Sequence, residues 1–280
     1  MEIQWGAELS SLSKSQQAIA NYIVGALQQI PYCTDEDIAR QVGVSTATVS
    51  RFWRAVGFAN LKAFKQQLLR SEQPSPARKM QHILDKVEHE EADIVAEIAD
   101  LASSNVMESG KRIDRAQFRR VVEEIDGARK LFLYGGGAAG CAAELLSFRL
   151  RRIGVDTVRM AASGRELLES LVHAEAGDVL LLFGFVKRTP ELTVLLSHAK
   201  EAGCTSVLIT DLLVSDMIKE SQYCLQIDRG EMDGFHSMTA PIAVAEAIAV
   251  AVTKRRDQRA MDKLDRLNAL RKRYASQLPK

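Results

Sequence analysis

Hydrophobic positions along the chain change their period near residue 129, and the change separates two kinds of structure. Before it, the spacing is helical. SKSQQAIANYIVGALQQI puts Ile19, Tyr22, Ile23, Ala26 and Leu27 on one face at the 3.6-residue repeat, and Pro31 ends the element. In TDEDIARQVGVSTATVSRFWRAVGF, Thr34 is placed to cap a helix whose acidic first turn suits the helix dipole, with Asp37 at the capping-box position. That helix buries Ile38, Ala39 and Val42; Gly43 terminates it and Val44 fills the corner. Ser45 then caps a second helix, Thr46 to Ala55, with Val49, Phe52 and Trp53 inward. Two short helices around a glycine-centred turn make a helix-turn-helix. SEQPSPARK, with two prolines in nine residues, reads as a linker. Residues 80–126 read as two helices, one marked by Ile83, Val87, Ile94, Ile98 and Leu101, the other by Phe118, Val121, Val122 and Ile125.

From Arg129 short apolar runs alternate with amphipathic ones. KLFLY, DTVRM, GDVLLLFGF, TSVLIT and YCLQID read as five strands, separated by helical stretches and closed by PIAVAEAIAVAVTKRR. Near-continuous apolar strands alternating with helices indicate a parallel sheet covered on both faces. The expected architecture is an all-α helix-turn-helix domain (1–77), a linker with connecting helices (78–128), and an α/β domain with a five-stranded parallel sheet (129–280). Ligands of such sheets bind outside the carboxyl ends of the strands.

The chain is nearly neutral, at a formal +1, but its charge is unevenly placed. Between Thr46 and Arg70 lie five basic residues (Arg51, Arg54, Lys62, Lys65 and Arg70) and no acidic one. From Lys254 to Lys280 ten basic residues face three acidic ones, a local +7. Both patches suit a polyanion or a solvated surface. The tail repeats Met261, Leu264, Leu267 and Leu270, a stripe that fits dimer contact, packing on its own domain, or a solvated helix. No apolar run approaches the roughly 18 to 20 residues of a membrane span, and no signal-like start is present, so a cytoplasmic protein is expected. The four cysteines lie far apart and read as reduced core thiols.

Helix geometry leaves Thr46, Ala47 and Ser50 exposed on the second helix of the motif. They are the candidate readers of base edges in double-stranded DNA, Ala47 through a thymine methyl and Thr46 or Ser50 by hydrogen bonding. Ser45, Thr48, Arg51 and Lys62 suit phosphate, and Arg54 lies beside the exposed face. In the second domain YGGGAAGCAAE turns from a strand into a helix, so that Gly136, Gly137 and Ala138 can bring backbone amides to an anion. No acidic residue follows the second strand as a ribose clamp, so a nicotinamide cofactor is not expected. The stretch FGFVKRTPEL, with Phe185, Lys187, Arg188 and Thr189, follows the third strand. Glu231 and His236 lie in a polar loop after the fifth. No cluster has metal-site spacing, so neither metal nor cofactor is expected, and no catalytic residue is assigned.

GVSTATVSRFWRAVGF, the glycine turn 135–140, GDVLLLFGF with TPEL, and the closing helix together resemble the RpiR family of bacterial transcriptional regulators. Residues 11–70 are similar to its N-terminal helix-turn-helix and 129–255 to its sugar isomerase (SIS) domain. The resemblance implies a DNA-binding homodimer or homotetramer whose SIS domain binds a phosphorylated sugar or related metabolite and thereby changes operator affinity. The family's phosphate loop reads Ser-x-Ser-Gly-x-Thr; at the matching positions this chain has Phe183, Phe185, Val186 and Arg188, and keeps only Thr189. Most hydroxyls are exchanged for bulk and positive charge. The expected effector is therefore a small, anionic or partly apolar metabolite, with an ordinary phosphosugar, no ligand, or sugar-phosphate isomerisation as the alternatives. Isomerisation would need an acid or base, for which Glu144, Glu166, Glu231, Asp233 and His236 are available.

Overall fold

A computed structural model describes residues 12–26, 30, 33–65, 76–85, 93–230 and 236–278. Leu27, Pro31, Arg70, Val87, Glu231 and Asp233 lie outside the described residues. The chain divides into two compact units, 1–79 and 80–280.

In the first unit α1 (Lys14–Gly25), α2 (Asp35–Val42) and α3 (Thr46–Ala55) enclose one aromatic core. The local signals act where the sequence places them. Thr34 accepts a hydrogen bond from the Asp37 amide, and the Asp37 carboxylate accepts from Thr34 in return. Gly43 takes the left-handed φ of 73° that an L side chain disfavours, which ends α2. Ser45 accepts from the Thr48 amide and starts α3. Trp53 is fully buried against Phe52, Phe58 and Phe64, its ring centroid 5.1, 6.5 and 4.9 Å from theirs. Its Nε1 donates to Asp35 Oδ1 at 2.8 Å, tying α3 to the start of α2.

Between the motif and the sheet the structure differs from the sequence reading. The expected linker is partly helical, because α4 (Pro76–Leu84) begins inside it. Proline is tolerated in the first helical turn, where its missing N–H is not needed. The stripe from Ile83 to Leu101 is not one helix but belongs to α4 and a separate α5 (Ile94–Arg112). α6 (Arg115–Gly127) buries Val121, Val122 and Ile125 as its spacing requires.

The second unit is a three-layer sandwich. Its strands, β1 (Leu131–Gly135), β2 (Thr157–Arg159), β3 (Val179–Phe183), β4 (Thr205–Thr210) and β5 (Tyr223–Gln226), form one parallel sheet in the order β2-β1-β3-β4-β5. Alternate residues of each strand feed opposite cores. Leu131, Leu133, Leu181 and Phe183 pack against α6, α7 (Gly140–Arg152) and α11 (Thr239–Arg256). Phe132, Tyr134, Leu180 and Leu182 pack against α8 (Glu166–Leu171), α9 (Pro190–Ala202) and α10 (Asp216–Glu220). α12 (Gln258–Arg273) follows at the C-terminal end. At the amino edge Asp178, almost fully buried, accepts from the Arg129 guanidinium and from the amides of Lys130 and Glu175, so its charge is compensated on every side. Because β1 connects to β2 on one side while the chain continues through β3 on the other, the sheet has a topological switch point between β1 and β3, and ligands of such sheets bind outside the carboxyl ends of the strands there.

Candidate functional site

The first candidate surface is the exposed side of α3. Thr46, Ala47, Ser50, Arg51 and Arg54 are all exposed, while Val49, Phe52 and Trp53 of the same helix are fully buried. Ser45 and Thr48 form a hydroxyl pair at 2.9 Å at the N-terminus of α3, and Arg51 Nε donates to the Ala47 carbonyl at 3.2 Å, holding the guanidinium along the helix. Lys62 is exposed in the helical turn 61–65, which Asn60 caps through the Ala63 amide. A helix whose capped start carries small polar side chains and whose sides carry arginine has the shape and charge of a major-groove reader.

The second is the region outside the carboxyl ends of β1 and β3 at the switch point. On the β1 side, Gly135 is indispensable: a Cβ there would lie 2.5 Å from the Ala139 carbonyl oxygen, which is backbone and cannot yield. Gly137 has φ +55°, and a short 3-10 turn, Gly137–Ala139, feeds directly into α7. Gly137 and Ala138 are exposed at the carboxyl end of β1. Arg159, at the end of β2, donates to the Leu133 carbonyl and to Glu144, both at 3.0 Å, which fixes a cation beside this turn.

On the β3 side, the loop 184–189 is held in an unusual conformation. The Lys187 amide donates to the Phe185 carbonyl at 2.7 Å, a three-residue turn about Val186, whose φ is +68°. A β-branched residue with positive φ is a strained outlier. A glycine would adopt this backbone sign without cost. Compensation comes from Asp211 at the end of β4: its Oδ1 accepts from the Val186 amide at 2.9 Å and its Oδ2 from Arg229 Nη1 at 3.2 Å. Arg229 is buried; its guanidinium also donates to the Ser237 and His236 carbonyls and lies 4.2 Å over the Phe185 ring. Burial draws the Arg229 pKa down, with Asp211 opposing that shift. Phe185 joins the core on the α7 and α11 side, 6.4 Å from Phe183.

The remaining sequence candidates are placed as follows. Arg188 is engaged within the domain: Nη1 and Nη2 meet Glu220 at 2.6 and 2.8 Å and Nε donates to Thr193 Oγ1, so an anion would have to displace Glu220. The ion pair and hydrogen bond with Glu220 hold the guanidinium's pKa above its ordinary value. Thr189 caps α9, accepting from the Leu192 amide at 3.3 Å. Lys187 is exposed in the loop, and Gly136 packs beside Tyr134. His236 lies near Arg229 through its carbonyl; Glu231 is outside the described residues. Sequence reasoning missed Asp211, Arg229 and Arg159. All three stand at or just beyond the carboxyl end of a strand, which is the one local signal that could have marked them. Burial pushes the Cys224 thiol up to about 11. Among the described residues no group of three His, Cys, Asp or Glu side chains has metal-site geometry, and no helix is long and apolar enough to cross a membrane.

A helix-turn-helix unit followed by a parallel α/β unit is the architecture of a one-component transcriptional regulator. Comparison with known proteins agrees. Residues 2–75 match the helix-turn-helix domain of the rpiR family, and residues 124–251 match the SIS domain. The chain is 29% identical over 225 residues to an uncharacterized HTH-type transcriptional regulator of Haemophilus influenzae, covering 79% of this chain and 77% of that one. A second such regulator, from Clostridium perfringens, is 26% identical, with 78% of each chain covered. In fold, the chain is similar to the Vibrio vulnificus NanR protein complexed with ManNAc-6P (TM-score 0.61, 21% identity, 94% of both chains). It is also similar to the sugar isomerase domain of an RpiR transcription factor from Sphaerobacter thermophilus (TM-score 0.59, 19% identity, 63% of this chain and 99% of that one). The protein belongs to the RpiR family: it is a DNA-binding regulator with an N-terminal helix-turn-helix and a C-terminal SIS domain.

Proposed function

We propose that the SIS domain senses a small anionic metabolite with an apolar portion in the crevice between β1 and β3, and that its binding alters operator affinity. The observation that carries this reading is the pairing of an open glycine turn with a rebuilt loop. Exposed backbone at Gly137 and Ala138 faces the N-terminus of a 13-residue helix, and Arg159 and Lys187 supply positive charge on either side. Phe185 replaces a serine of the family's loop and Val186 its glycine, so the site favours less polar ligand chemistry than the serine-rich cradle does. In this reading Lys187 meets the anion, while Arg188 and Thr189 hold the start of α9. His236 approaches from the segment after β5. We further propose a cytoplasmic homodimer or homotetramer, which would present recognition helices to half-sites roughly 34 to 36 Å apart.

A thermal-shift screen of small carboxylates, sugar phosphates and neutral sugars tests the reading. A true effector at about 100 times its Kd should add roughly 2.7 kcal/mol of stability. Its affinity should fall about tenfold or more in Lys187→Ala, as loss of a charge-assisted contact of roughly 1.5–3 kcal/mol requires. A best ligand that is neutral, or an anion indifferent to both Lys187→Ala and Arg159→Ala, would overturn it.

A further inference from the structure

α12 spans 16 residues, yet Ala260 is its single buried residue. Leu264 packs half-buried against the domain core, and the rest of the helix, marginal in water at that length, has little else to hold it. Between α12 and α7 lies an open groove of about 660 Å³. Its floor is apolar, made by Phe148, Leu267 and Leu270, and Phe148 and Leu270 are 52% and 42% exposed. Its rim carries Arg151, Arg152, Lys263, Arg266 and Arg271.

These five cations differ from their neighbours. Arg149 pairs with Glu246, and Arg255, Arg256 and Arg259 pair with Glu123 or Asp126. None of the five rim cations has an ion pair among the described residues. Arg152 lies 5.3 Å over the Phe148 ring, and its Nε is buried with no acceptor. The buried Arg152 Nε is costly without an acceptor, and five like charges around one groove favour an anionic occupant.

The chemistry selects among occupants. A duplex backbone would satisfy the cations but would leave the apolar floor in contact with water. A second copy of the same groove would add five more positive charges. A helix with leucine-like residues at i, i+3 or i+4, and i+7, flanked by Asp and Glu, satisfies floor and rim together. We propose that this groove docks an acidic amphipathic helix of another protein, giving the regulator a protein-interaction surface separate from its DNA-reading helix and its effector crevice.

The test uses the full-length protein and a fluorescein-labelled 18-residue peptide with leucine at that spacing and glutamate elsewhere. Fluorescence anisotropy is read beside a scrambled peptide of identical composition. The wild type should bind the patterned peptide at least tenfold tighter than the scrambled one. Arg266→Glu and Arg271→Glu, at surface positions that spare the fold, should each weaken binding tenfold or more, and Leu267→Ser should do likewise. Equal binding of both peptides, or no effect of the charge reversals, overturns the proposal. So does competition by unrelated duplex DNA that is lost in the same variants, which would make the groove a nucleic-acid surface. A fall in sedimentation mass on Leu267→Ser, with no peptide bound by wild type, would instead assign the groove to a second copy.

Discussion

Arg229→Ala is expected to destabilise the second unit by about 3–5 kcal/mol, the usual cost of leaving one member of a buried ion pair without its partner. Asp211 would keep a nearly buried charge whose Oδ2 has lost its donor, and Phe185 would lose the cation over its ring. The His236 and Ser237 carbonyls would lose their donors as well. For a unit of this size, a calorimetric midpoint falls about 2–4 °C per kcal/mol, so a drop of roughly 10 °C is predicted. Arg229→Lys should rescue little, because an ammonium cannot reproduce the planar fork or the stacking. Asp211→Ala should also abolish any effector response, since the strained Val186 turn would lose the acceptor that holds it. A loss below about 1 kcal/mol in Arg229→Ala would show that the cluster does not support the loop.

Trp53→Ala is expected to cost a similar 3–5 kcal/mol, but in the other unit. The indole fills the centre of an aromatic cluster and bridges α3 to α2 through Asp35, so its removal both opens a cavity and frees the recognition helix. Against a typical total of about 5–15 kcal/mol for a whole domain, and less in one this small, most of the margin disappears. Calorimetry should show the N-terminal transition lost or shifted far down while the SIS transition stays in place, and DNA binding should fail. Trp53→Phe, which keeps part of the volume and forfeits the hydrogen bond, should fall between. Two transitions that both remain at their wild-type temperatures in Trp53→Ala would contradict this role.

What the sequence revealed was governed by how local the responsible physics is. Thr34 with Asp37, Gly43 and Ser45 are capping signals that act within four residues, so the bounds of α2 and α3 could be read directly. The parallel sheet was legible because its strands are buried on both faces and so are apolar without interruption. Strand order is not local, and neither are the contacts that shape the crevice. Asp211 meets Val186 across 25 positions and Arg229 across 18, and Arg188 finds Glu220 across 32. Nothing in FGFVKRTPEL indicates that Arg188 is taken by an acid on α10, nor that the cation over Phe185 comes from the end of β5. Composition misled at SEQPSPARK, where Pro76 opens a helix and does not interrupt the chain.

Whether the exposed face of α3 reads DNA is tested most directly by fluorescence anisotropy of the full-length protein on its own upstream duplex and on a shuffled one, across a salt series. Affinity for the upstream site should exceed that for the shuffled duplex at least about 10³-fold and fall steeply as salt rises. Arg51→Ala should weaken both by similar factors and reduce the salt slope by about one, the signature of a lost phosphate contact, whereas Ser50→Ala should act on the upstream site alone. Equal affinity for both duplexes, with no change in Arg51→Ala, would contradict a DNA-reading role for α3.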